Sequence, residues 1–134
     1  MKNDPLTVFR DRAEANNFDE FRDMFASDVT LHSPTSENPQ YGIPMTTLCI
    51  RAAMGLLHEG SFKVVRSFAN ENSGVVEFEA TIDDEPINGA DFLRWNEDGK
   101  IDEFKVMVRP REAANLFCDK MLAKVADLIR TGKL

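Results

Sequence analysis

An acid interrupts an otherwise apolar strand face in the run Ile87–Trp95. Strand side chains alternate between two faces, so Ile87, Gly89, Asp91, Leu93 and Trp95 share one of them. Three of the five are large hydrophobes, and the turn-forming Asn96-Glu97-Asp98-Gly99 follows directly. Asp91 is therefore expected to face the interior, where an unpaired ionised carboxylate is costly and the pKa rises. Inward acids of this kind are enriched at functional sites, which makes Asp91 the leading candidate for proton chemistry. The competing expectation is a buried Asp held by a backbone or side-chain partner.

His32 is the natural second member of such a site. An imidazole titrates near neutrality and can serve as general base to an enolisable substrate, with Asp91 as the acid. Strict alternation, however, groups His32 with Thr30, opposite Val29, Leu31 and Ser33. Tyr41, the sole tyrosine, sits in the polar stretch Pro34–Pro44 and is expected either to meet a ligand or to anchor the loop. Trp95 shares the inward face of Asp91 at the far end of its strand, where core packing is the default. His58, in the final turn of a helix, is expected to favour the helix dipole.

The elements that position these residues are readable from periodicity. Asp4-Pro5 is a helix start, with Leu6, Phe9 and Ala13 on one side of a helix to about Ala15. Phe18, Phe21 and Phe25 suggest a second short helix over Phe18–Phe25, and Val29–Ser33 a strand stopped by Pro34. Met45–Leu57 follows the helical repeat throughout. Phe62–Ala69, Val75–Ile82, Ile87–Trp95 and Ile101–Val108 then read as a four-stranded meander joined by short turn-rich segments. Residues 111–130 form a last amphipathic helix, with Leu116, Met121, Val125 and Leu128 inward. The expected architecture is α+β and a single domain over residues 1–134. A curved antiparallel sheet, the meander plus a short N-terminal strand, is wrapped by three N-terminal helices into a cone with a pocket.

Composition narrows the function classes. The 134 residues carry a net charge of -7 and ten Phe against one Trp and one Tyr. An acidic surface without a Lys/Arg stripe argues against nucleic acid and anionic membranes as partners. Two distant histidines, Cys49 and Cys118 in helices, and an acidic hairpin tip at Asp83-Asp84-Glu85 give neither a zinc nor a calcium pattern. With no glycine-rich phosphate loop, the expectation is a protein without cofactor or metal. No long apolar run follows Met1–Pro5, and two helix-borne cysteines suit a reducing compartment, so a cytoplasmic location is expected.

Four segments carry a resemblance to a known family. They are Asn17-Phe18-Asp19-Glu20-Phe21 with Phe25–Val29, His32-Ser33-Pro34 with Pro39–Gly42, Asp91–Asn96 with Asp98–Ile101, and Met107–Pro110. Their order resembles the SnoaL-like branch of the nuclear transport factor two superfamily, which includes ketosteroid isomerases and polyketide cyclases. The resemblance implies that Asp91 matches the isomerases' protonated acid, the oxyanion donor. Ser33 replaces their general-base Asp, and Phe9 replaces the oxyanion-donating Tyr of the first helix. Steroid isomerisation is therefore not expected, since serine lacks basicity and Phe9 has no proton to donate.

Two functions remain. One is a small cofactor-independent enzyme acting on a hydrophobic carbonyl compound by isomerase-, cyclase- or dehydratase-type proton transfer. It would use Asp91 and His32, with Ser33, Tyr41, Trp95 and Phe9 around the ligand. The other is a non-catalytic pocket for a lipophilic small molecule, or a dimerisation module. The family also points to homodimers through the sheet, whose outer face is expected to include Val75, Phe92, Phe104, Val106 and Val108.

Overall fold

Asp4 caps the first helix of the computed structural model, which describes residues 4–132. The stretch Met1–Asn3, part of the N-terminus read for a leader, lies outside the described residues. Helix α1 (Pro5–Ala15) begins with the Asp4 carboxylate accepting the Thr7 N–H at 2.7 Å. That bond satisfies one of the donors a helix start leaves free. Leu6, Phe9 and Ala13 form its buried face, as their spacing predicts.

A helix over Phe18–Phe25 does not form. Glu20 takes a left-handed φ of 56°, and only a single 3-10 turn follows at Phe21–Met24. The three phenylalanines still meet, edge to face, at 4.7 Å (Phe18–Phe21) and 4.9 Å (Phe21–Phe25) between ring centroids. Aromatic contact at helical spacing is here the product of a turn running into a strand. That strand, β1 (Phe25–His32), starts four residues earlier than its hydrophobic pattern suggests.

A two-residue strand β2 (Gln40–Tyr41) leads into α2 (Ile43–Leu57), which starts ahead of Met45 because Pro44 fits the first helical turn. The meander is β3 (Phe62–Ala69), β4 (Ser73–Ile82), β5 (Glu85–Trp95) and β6 (Ile101–Arg109). Helix α3 (Arg111–Thr131) closes the described chain. The α+β class is as expected, with two N-terminal helices rather than three.

The sheet is curved, six-stranded and mixed, in the order β2-β1-β6-β5-β4-β3. All pairs are antiparallel except β1 with β6. Parallel pairing requires a crossover connection, and α2 with the first three meander strands supplies it. A single hydrophobic cluster joins α1, α2, the inner sheet face and α3.

One register detail changes the faces of β6. Arg94 pairs with Glu103 and Trp95 with Ile101, so Asp102 is an extra residue opposite β5. An extra residue reverses the alternation beyond it. Ile101 and Phe104 therefore both face inward, and Val106 and Val108 follow, opposite Asp91 and Gly89. Phe104, Val106 and Val108, all expected on the outer face, are thus not on it. The exposed apolar groups there are Phe68, Phe92 and Met107.

Candidate functional site

Asp91 projects from the middle of β5 into the space between sheet and helices. Its neighbours across the two ladders are valines, Val76 on β4 and Val106 on β6. Only 7% of the residue is exposed, and it makes neither a salt bridge nor a side-chain hydrogen bond among the described residues. Burial, with no opposing cation or donor, pushes its carboxyl up from 3.8 to about 7. The neutral acid has one O–H to donate and, among the described residues, no side-chain or backbone hydrogen-bond partner to receive it.

The carboxyl lines a cavity between the three helices and the sheet. Phe9 of α1, Leu57 of α2, Phe78 of β4, Phe104 of β6 and Phe117 of α3 are among its walls. The Phe9 and Phe104 rings meet edge to face at 5.1 Å. The volume in which a water-sized sphere can be centred is about 30 Å³, room for about two waters. Besides Asp91, Cys49 is the only titratable lining residue, and burial pushes its thiol up, so it stays neutral. Chemically the site is one acid that titrates near neutrality in a largely apolar pocket.

Two other expected residues join it. Ser33 follows β1 and lines the cavity, its hydroxyl 2.8 Å from that of Thr35 and accepting the Thr35 N–H at 3.2 Å. Phe9 lines it as well. Thus the three positions that matter by resemblance converge, with only Asp91 carrying an acid.

The remaining expected residues lie elsewhere. His32 is on the opposite face of β1, its Nε2 3.6 Å from the Glu103 carboxylate on β6, and does not line the cavity. Alternation decides this, because Leu31 and Ser33 take the inward positions. Tyr41 is 71% exposed on β2. Trp95 is buried beyond the cavity, its indole N–H donating to the Glu71 carbonyl at 3.2 Å. His58 donates from Nε2 to the Ala13 carbonyl at 2.7 Å, tying the end of α2 to α1.

Phe117 and Met121 were not legible as site residues. Their spacing from Ala113, four and eight residues on, marks the buried stripe of α3. Leu116, Val125 and Leu128, expected inward, are only partly buried. Among the described residues no group of three or more His, Cys, Asp or Glu is placed to hold a metal ion. Nor is any described helix long and apolar enough to cross a membrane.

Comparison with known proteins agrees with this fold. The sequence profile of the SnoaL-like domain matches residues 7–104, and the chain belongs to that family. No functionally curated protein matches the sequence. Among solved structures, a steroid delta-isomerase from Pseudomonas aeruginosa superposes with a TM-score of 0.87 at 23% identity, over 94% of this chain and 92% of that one. A conserved protein with a cystatin-like fold from Silicibacter pomeroyi gives 0.84 at 19%, over 94% and 90%. A nuclear-transport-factor-two-like protein of unknown function from Mesorhizobium loti gives 0.68 at 14%, over 79% and 88%. At these identities the likeness is one of fold.

Proposed function

We propose that this SnoaL-like chain takes a hydrophobic carbonyl compound into the cavity, with neutral Asp91 donating a hydrogen bond to the ligand's oxygen. The observation that carries the reading is the unpartnered carboxyl in an apolar enclosure. A buried polar group without a partner is destabilising, and a ligand oxygen in reach of its O–H relieves that cost. The surrounding phenylalanines and leucines would contribute binding through apolar burial. One acceptor on an otherwise apolar skeleton is the ligand chemistry that such a site selects.

A second reading, isomerase-type proton transfer, is favoured by a carboxyl with a pKa near neutrality. Such a group is matched to both giving and taking a proton at physiological pH. With His32 on the far face of β1, Asp91 and a cavity water are the proton carriers left to this reading. Deuterium exchange next to the carbonyl of a hydrophobic ketone, followed by NMR, separates the two. Exchange that Asp91→Asn abolishes identifies an enzyme, whereas ligand chemical-shift changes without exchange identify a binding module. Neither signal with a panel of aromatic and steroid ketones would contradict both.

We further propose that two copies pair through the outer sheet face. Support comes from Phe68 (62% exposed), Met107 (54%) and Phe92, which give this face exposed apolar surface on three strands. The free thiols of Cys49 and Cys118 suit a cytoplasmic setting.

A further inference from the structure

The cavity as it stands is too small for the ligand its chemistry calls for. About 30 Å³ of water-accessible room compares with roughly 150 Å³ in an apolar cavity that admits benzene. One wall must therefore yield, and the walls are not equally fixed. Phe9 and Phe104 pack edge to face on each other from α1 and β6, and the strands that line the cavity lie inside the sheet, with a neighbouring strand on both sides.

Helix α3 is attached differently. Its buried residues, Ala113, Phe117 and Met121, all lie between its start and its midpoint. From Leu122 onward no described residue is buried, and Leu122 and Ile129 are more than half exposed. Two polar links tether it beside the cavity: the Cys118 thiol to the Pro34 carbonyl at 3.5 Å, and an exposed ion pair of Lys120 with Asp83 at 3.2 Å. It also lies wholly beyond the family match, which ends at residue 104. Segments with few buried contacts open at the lowest free energy.

Building on the carbonyl-pocket reading, we propose that α3 is the movable wall of the site, and that Phe117 and Met121 fill the volume a ligand takes and so set its size limit. Ligand entry withdraws these two side chains from the chamber while the sheet and α1 stay in place. Cys118 lies between them and touches Pro34, so a Pro34→Cys substitution offers a disulfide that pins this stretch of α3 over the chamber.

The test uses the full chain with Pro34→Cys, oxidised and then reduced, and prodan, an environment-sensitive naphthyl ketone fluorophore. Peptide mapping confirms that the introduced thiol pairs with Cys118. Because Pro34 itself lines the cavity, the reduced variant sets the reference affinity for the oxidised form. The oxidised form should bind about tenfold or more weakly, because the competent conformation is depopulated. Met121→Ala, in a reducing buffer, should tighten prodan binding. Equal binding by oxidised and reduced forms overturns the movable wall and leaves the pocket intact. No binding by either form or by wild type overturns the pocket reading, and the wall with it.

Discussion

Asp91 lies directly across the β5–β6 ladder from Val106, with Val76 in the equivalent place on its other side. The carboxyl thus has a branched hydrocarbon on each flank and aromatic rings above. Among the described residues no cation, amide or hydroxyl bonds to it to offset the loss of hydration, and burial raises its pKa to about 7. An apolar side chain would pack here at lower cost, and the difference falls on stability.

That cost has a sign and a pH window. An unfolded Asp titrates near 3.8 and the folded one near 7. Between those values the native state binds more protons, so this group's contribution falls as pH rises and levels off above about 7. At about 1.4 kcal/mol per pH unit the penalty is of the order of 4 kcal/mol. Asp91→Asn should melt at a higher temperature than wild type at pH 8, with added stability of the order of that same penalty, about 4 kcal/mol. The two should converge at low pH. Thermal melts from pH 4 to pH 8 check this.

Ser33 and Asp91 share the cavity, so Ser33→Asp introduces a second acid beside the first. Two neighbouring carboxyls separate their titrations, one ionised and one neutral. The variant should gain or increase proton exchange on a hydrophobic ketone by about 10²-fold, the scale of one positioned general base. NMR exchange rates of the variant and wild type decide it.

Gly89 is required by Phe78. A Cβ at residue 89 would lie 2.3 Å from the Phe78 ring, which is buried and lines the cavity. Gly89→Ala should destabilise by about 1–3 kcal/mol through overpacking. Denaturant unfolding measures the loss, and ligand affinity should fall with it.

The proposed dimer is tested on its own. Phe92 and Met107 are exposed on adjacent strands, so Phe92→Glu with Met107→Glu should leave the fold stable and yield monomers at micromolar concentration. Light scattering that shows wild type already monomeric removes the proposal.

Much of this was legible in the chain. The meander, α1, α2 and α3 follow from periodicity and turn residues, and Asp91 follows from alternation within one strand. Two misplacements had local physical causes. Glu20's left-handed backbone turned a helical phenylalanine pattern into a turn and a strand, and the extra residue at Asp102 reversed the faces of β6. Neither signal is carried by side-chain hydrophobicity. The parallel placement of β1 beside β6 and the intrusion of Phe117 depend on contacts between segments far apart in sequence. His32 shows that a residue next to a site in sequence can face away from it, since one step along a strand changes the face.

Prodan affinity as a function of pH, in wild type and Asp91→Asn, tests whether the Asp91 carboxyl donates to the ligand. A donating carboxyl predicts tight binding below pH 7 and about tenfold weakening per pH unit well above it, with no such slope in Asp91→Asn. Parallel, pH-independent binding by both proteins would contradict it, leaving a cavity in which Asp91 does not meet the ligand.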